Sequence, residues 1–397
     1  MGLAYAPFGL MGGFTVVTLP QMLAAQGVPG GSIAEIVAVC ITPTFWAFLV
    51  SPLLDVRFRR RNWALGFALL MASASAFTVL HHRNIFLVEA VMTAGYAAAA
   101  LYAGAVGGWT GALIGEDQDS TLGVWFSVAN AGAGSIMIFL VGRVIDRWSL
   151  PAIAALVAGL ILLPLLLFLV IPAPEPDKTL ASESFSRFWR DVLSLLKRRE
   201  VLVALPLFLL PSASFSLTNT LAGWGLNFSA NPRQVALYGA LATSIGGIGG
   251  SFLIKPLAKL LPLRPMYLGI GIVGASFTLS LLLFPRTPAL FGVAMIGENI
   301  FQAMAFAAAY AIVFEVIGTG NPLAATTFLL LLSAESLPVV YMGAVDGTGF
   351  NWNGVAGGFL ADAGFGLAAC LLLAILLRRW LWSSPRPPRN IVEHSLS

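Results

Sequence analysis

Pro172-Ala173-Pro174-Glu175-Pro176-Asp177-Lys178, continued by Arg187, Arg190, Lys197, Arg198, Arg199 and Glu200, forms an extended polar passage inside an otherwise apolar chain. Outward from it, on both sides, runs of membrane-crossing length follow one another. A helix that crosses a bilayer needs about 20 mostly apolar residues. Six such runs precede the passage, near residues 3–25, 32–53, 63–80, 85–113, 121–143 and 151–171. Six more follow, near 201–227, 234–256, 265–284, 288–316, 322–344 and 356–378. The expected fold is an all-α integral membrane protein of twelve transmembrane helices. Its parts are a six-helix bundle over 1–172, a linker over 173–200, a second six-helix bundle over 201–378 and a tail over 379–397. Within the linker, Phe185, Phe188, Trp189, Val192, Leu193 and Leu196 have helical spacing, which predicts a short amphipathic helix on the membrane surface.

Composition supports this division. The 397 residues are 58% hydrophobic and 10% charged, with mean hydropathy +0.87. A soluble domain carries about 25% charged residues, so most of this surface must face lipid. A cytosolic enzyme, a nucleic-acid binder and a secreted disulfide scaffold are excluded. Apolar runs this long and continuous also exclude a β-barrel, whose strands alternate. The first run begins next to Met1 with no basic stretch before it and no small-residue cleavage site, so it reads as a retained helix. Of the 22 Lys and Arg, seventeen fall on the side that would hold both termini and the linker, and five (Arg83, Arg143, Arg147, Arg233, Arg286) on the other. That asymmetry predicts cytoplasmic termini. The excess of Arg over Lys points to a GC-rich bacterial genome and hence an inner membrane.

The two halves also repeat. Leu49-Val50-Ser51-Pro52-Leu53-Leu54-Asp55 closes the second run, and Leu253-Ile254-Lys255-Pro256-Leu257-Ala258-Lys259 closes the eighth, an offset of 204 residues from Pro52 to Pro256. Two parallel six-helix repeats joined by a polar linker are the layout of the major facilitator superfamily. In that layout, rocking of one bundle against the other exposes a central cavity to alternate sides. No filter-like loop of a channel is visible.

More narrowly, Thr18-Leu19-Pro20-Gln21, Ser51-Pro52-Leu53-Leu54-Asp55 with Arg59-Arg60-Arg61, Ala173-Pro174-Glu175-Pro176, Gly297-Glu298-Asn299 and Ser333-Ala334 resemble short patches of the peptide–acetyl-coenzyme A transporter family. Its members include AmpG-type muropeptide permeases and related siderophore permeases. The resemblance implies a polar organic substrate. It also implies a gating role for the loop of Asp55, Arg59 and Arg60, where an acid and an arginine cluster clamp helix ends. The chain departs from the muropeptide pattern at Ala47, where that family has a Lys, and around Trp109, where Tyr102, Ala103 and Gly107 stand in place of acids.

Candidate functional residues concentrate in the second half. Glu298 falls near the middle of the tenth run, with Asn299 beside it and Gln302 one turn on, on the same face. A carboxylate near the bilayer centre costs about 2.5–3.5 kcal/mol unless it faces protein or water, so such a group marks a proton-coupling or substrate site. Glu335 lies mid-way along the eleventh run, with Pro338 after it as a hinge. The seventh run opens with Ser212, Ser214, Ser216, Thr218, Asn219 and Thr220, then Trp224 and Asn227. Thr218, Asn219, Trp224, Asn299 and Gln302 are the expected substrate contacts, and Glu298 and Glu335 the expected proton-coupling acids. Asp362 reads as a helix-end acid reached by water, Glu35 and Glu89 as acids near helix ends, and Glu315 as part of a gate or cap. Arg143 and Asp146 are a candidate outer contact.

Several features lead nowhere. Gly246-Gly247-Ile248-Gly249-Gly250 lacks the Lys-Ser/Thr of a phosphate loop. His81 and His82 lack ligand partners at metal spacing. Cys40 and Cys370 read as buried small apolar residues. No catalytic residues, metal or cofactor are expected. The expected activity is secondary active transport of a polar organic solute by proton symport, from a monomer embedded in the lipid bilayer, with no nucleic-acid partner. The alternatives are an exporter or uniporter of an amphipathic molecule, or a non-transporting membrane partner.

Overall fold

The computed structural model of the protein describes residues 1–55, 58–115, 118–145, 147–172, 193, 197–319 and 321–382. The amphipathic linker helix and Asp146 therefore lie outside the described residues. Within them the secondary structure is helical throughout, with no strand. The helices are α1 (Gly2–Ala24), α2 (residues 30–55), α3 (Arg60–Leu80), α4 (Ile85–Gly111), α5 (Asp119–Val144) and α6 (Leu150–Leu169), then α7 (residues 199–228), α8 (Arg233–Leu257), α9 (Leu263–Leu283) and α10 (Pro288–Ile317). A continuous helical segment, Ala324–Leu376, comes next.

That last segment is two helices. Asn353 (φ −144°, ψ 34°) and Gly354 (φ 57°, ψ −149°) leave the helical region. A Cβ placed on Gly349 would lie 2.5 Å from the Gly357 carbonyl oxygen. Eight residues of straight helix would hold those two about 12 Å apart, so the chain reverses here into an antiparallel hairpin. Its arms are α11 (residues 324–352) and α12 (residues 355–376), and a short α13 (Arg378–Leu381) follows. Nine segments of the described chain are long and apolar enough to cross a membrane unbroken. Dividing the hairpin and adding the interrupted α2 and α7 gives twelve.

The interruption in α7 has a local cause. Pro206 stands inside Arg199–Leu209, Pro211 follows it, and helix resumes at Leu217 only after Phe215 takes a left-handed conformation (φ 47°). The intervening Ser212, Ala213, Phe215 and Ser216 are nonetheless buried. Irregular backbone at membrane depth is tolerated where protein covers it. Helix starts at the end remote from the linker are capped in the ordinary way: Asn84 accepts from the Leu87 amide, Asn231 and Gln234 form a reciprocal box, and Thr287 accepts from the Leu290 amide. Large apolar side chains such as Leu70, Phe139, Leu169, Leu283 and Ile375 are exposed on the outside of the bundle. That surface is stable against hydrocarbon, not water.

Candidate functional site

At the linker end of the molecule the two halves are locked together by one acid. The tight turn Ser51–Asp55 ends α2 and turns the Asp55 carboxylate toward the start of α11. There it accepts hydrogen bonds from the amides of Ala325 (3.1 Å) and Thr326 (2.9 Å) and from the Thr326 hydroxyl (2.7 Å). Leu323, the residue before α11, has no capping side chain of its own. The first N–H groups of a helix need acceptors and carry a partial positive charge, so Asp55 acts as an N-cap supplied by the other half. Arg60 completes the clamp. Its guanidinium meets Asp55 at 2.8 Å and donates to the carbonyls of Asn321 (3.2 Å) and Pro322 (2.8 Å) in the second half. Of the two arginines expected to gate, Arg60 makes these bonds, while Arg59 stands at the N-cap of α3.

Above the clamp the seam is closed by α4 lying directly on α11. A Cβ on Gly108 would run into the Ala325 backbone, and one on Gly107 would meet the Phe328 ring at 2.5 Å. Both glycines are therefore required by close approach. An aromatic cluster fills the axis: Tyr5 stacks on Phe126 at 4.3 Å, and Phe126 meets Phe314 at 5.0 Å and Tyr310 at 5.7 Å. The Tyr5 and Tyr310 hydroxyls are 3.5 Å apart, one from each half. Higher on the same seam the Ser333 hydroxyl donates to the Thr44 carbonyl, and Ser127 bonds Ser251 at 2.8 Å. Glu335 is buried two residues further along α11. Its Oε2 has no hydrogen-bond partner.

A second group of acids lies inside the C-terminal bundle. Glu298 is fully buried and accepts a 2.5 Å bond from the Thr278 hydroxyl of α9. It is within electrostatic reach of Asp362 and Asp346. Ser216, where α7 resumes, bonds Asp346 of α11 and lies 3.1 Å from Asp362 Oδ1 of α12. The reading of Asp362 as a water-reached helix-end acid is thus corrected: it is buried among α7, α10 and α11. Asp346, absent from the sequence candidates, is fully buried as well. The eleventh run looks finished at 344 because Gly343, Gly347 and Gly349 surround the acid and resemble a turn. Of these, Gly349 instead lets α11 and α12 touch, at Gly357, and α11 continues past Asp346 for six more residues.

The other expected contacts separate. Gln302 donates to the Thr218 hydroxyl at 2.8 Å, joining α10 to α7. Asn299 turns to its own helix, donating to the Met295 carbonyl, and its Cβ faces Gly246 of α8. Asn219 is exposed. Trp224 is a packing wedge and not an open contact: its ring stacks on Phe350 at 4.8 Å and sits against Gly358. Glu315 is paired with Arg264, whose guanidinium also lies 4.0 Å over the Trp380 ring. Arg264 is the 204-residue counterpart of Arg60, but Lys259 replaces the counterpart of Asp55, and Arg264 bonds within its own half. Arg143 lies over the Phe139 ring. Among the described residues no group of three His, Cys, Asp or Glu has the spacing of a metal site.

Buried acids behind a clamped seam suit a carrier that changes shape, not a site for covalent chemistry. The comparisons agree. Among curated protein sequences, none matches the chain. Solved structures share its fold. A crystal structure of the Escherichia coli fucose:proton symporter FucP is 15% identical, with TM-score 0.68, over 96% of this chain and 98% of that one. The proton:xylose symporter XylE bound to 6-bromo-6-deoxy-D-glucose is 14% identical, with TM-score 0.70, over 96% and 95%. The human organic anion transporter MFSD10 is 16% identical, with TM-score 0.67, over 94% and 97%. The family model described as Major Facilitator Superfamily matches residues 1–327. The chain belongs to the major facilitator superfamily: it is a multi-pass, non-enzymatic secondary transporter of small molecules.

Proposed function

We propose that this transporter carries a polar organic solute across a bacterial inner membrane together with protons, its termini and linker on the cytoplasmic side. The observation that carries the reading is Glu335. It is a buried acid with an unbonded oxygen, two residues along α11 from the Ser333 hydroxyl that bonds Thr44 of the other half. Away from water such a group is stable as a neutral acid and unstable as a bare charge. Taking up and releasing one proton there alters how the halves fit. Glu298 is the second coupling acid. Thr218 and Gln302 form the polar wall on which a solute is recognised. The resemblance to permeases for sugar-peptides and siderophores, and the sugar carriers among the structural neighbours, put hydroxyl- and amide-rich solutes first.

On this orientation the clamp of Asp55 and Arg60 closes the cytoplasmic side. The test has two steps. Thermal shifts across a panel of pentoses, hexoses, short peptides and iron-free siderophores identify a solute. Uptake of that solute into proteoliposomes is then driven by an imposed pH gradient. Glu335→Gln should abolish gradient-driven accumulation while counterflow continues. Unchanged driven uptake in the variant refutes the coupling role, and uptake indifferent to the gradient in the parent makes the protein a uniporter.

A further inference from the structure

We infer that Asp346 and Asp362 form a proton-binding pair, bridged by Ser216, that holds the broken α7 against the α11–α12 hairpin. Its place in transport rests on the proton-coupled reading above; the proton itself does not.

Ser216 sits at the joint of α7, directly after the left-handed Phe215, and its hydroxyl reaches one acid on each arm of the hairpin. A hydroxyl has a single hydrogen to donate and two lone pairs to accept with. Donation to Asp346 leaves the 3.1 Å contact with Asp362 Oδ1 without a hydrogen unless a carboxyl group supplies it. The three oxygens are consistent when one of the two acids is protonated. Two carboxylates sharing a site behave this way: they keep one proton between them, since both cannot ionise together.

Burial points the same way. Asp346 Oδ1 is enclosed without a partner, although its carboxyl group lies within the bridge, and Glu298 Oε2 is likewise unbonded. The ion pairs among the described residues join Asp55 to Arg60 and Glu315 to Arg264, so neither neutralises this cluster. The groups that face the pair are Ser216 from α7 and Glu298 from α10, the latter held by Thr278 of α9. Every titratable neighbour is an acid, and protons are the charge that this pocket is built to take. Loss of the shared proton leaves two like charges on the arms of the hairpin beside the joint of α7. Trp224 then matters as a wedge: it lies against Phe350, one turn beyond Asp346, and Gly358, one turn before Asp362.

The proton is read without any solute by infrared difference spectroscopy of the full chain in lipid nanodiscs, titrated from acid to alkaline pH. A protonated carboxyl has a C=O stretch distinct from that of a carboxylate. Asp346→Asn and Asp362→Asn should each remove the same band. Ser216→Ala should shift its frequency and Ser216→Thr restore it, which keeps the test open should an Asn variant fold poorly. Two independent bands, a band that survives both Asn variants, or a band abolished by sodium chloride at constant pH overturns the pair. Failure of gradient-driven uptake with the band intact would refute coupling but not the pair.

Discussion

Replacing Asp55 by Asn should open the linker end of the molecule. The carboxylate accepts from two amides and a hydroxyl of α11 and meets Arg60 at 2.8 Å. Asn keeps one acceptor oxygen but turns an NH2 group toward donors that need an acceptor. At least one charge-assisted hydrogen bond is lost, at about 1.5–3 kcal/mol. The favourable interaction of a negative charge with the helix N-terminus goes too, at about 0.3–1 kcal/mol. Both losses fall on the clamped state alone, because opening carries α11 away from Asp55. A shift of about 3 kcal/mol in that equilibrium is roughly a hundredfold. Spin labels at Asn62 on α3 and Thr319 before α11, both exposed, report the separation of the halves at that end. With Cys40 and Cys370 replaced, Asp55→Asn should move the distance distribution to a longer, open population. If the clamped distance stays dominant in Asp55→Asn and in Arg60→Ala alike, the capping argument is wrong.

Three further outcomes follow from the packing. Gly108→Val puts side-chain atoms where the Ala325 backbone lies, overpacking the seam by about 1–3 kcal/mol; the same spin-label pair should open about tenfold or more. Arg264→Leu removes the cation paired with the largely enclosed Glu315, and breaking a buried pair from one side costs about 3–5 kcal/mol. The thermal midpoint in detergent should fall sharply, with Arg264→Lys recovering only part, since the planar stacking on Trp380 is lost. Gly271→Ala drives a Cβ into the Ser212 carbonyl oxygen in the α7 break. Solute binding should weaken more than global stability falls, measured by titration and melting of the same sample; the reverse ranking would mean that the break is merely structural.

Long uninterrupted apolar runs made most of the fold legible in the sequence: α3, α4, α5, α9 and α10 lie within a few residues of where hydropathy puts them. What escaped is short-range and polar. The break in α7 falls at residues 210–216, where Pro211 is legible as a helix breaker, but the left-handed Phe215 that extends it is not, because no glycine marks the position. Asp346 escaped because glycines beside an acid read as a turn, whereas two facing helices also need glycines where their backbones touch. Asp362 was visible but misjudged: its depth follows from α11 and α12 packing as a hairpin. The Asp55–Arg60 clamp was legible as a motif, but its partner, the uncapped start of α11, lies some 270 residues away in the other half.

The site is divided unequally between halves that share one layout, and the division has a mechanical consequence. The N-terminal half offers a fixed acid at the end of α2, whereas Lys259 stands at the equivalent place in the C-terminal half and offers no reciprocal cap. The unpaired buried acids lie instead on α10, α11 and α12. Of these helices α11 carries the whole chain of connection. Ala325 at its start docks on Asp55, Glu335 lies about 15 Å further along, and Asp346 about 16 Å beyond that, at 1.5 Å per residue. Pro338, between the two acids, removes the backbone hydrogen bond to the Ala334 carbonyl and lets the two arms of the helix bend independently. A proton lost at Asp346 therefore displaces the remote arm first, and the clamp feels it through Glu335 only if the hinge stays stiff. Pro338→Ala, which restores the hydrogen bond, should tighten that link. In the Asp346→Asn background it should leave the spin-label distances at Asn62 and Thr319 unchanged, and in the parent it should make them more sensitive to pH. Equal pH sensitivity with and without the proline would mean that the acids and the clamp do not communicate along α11.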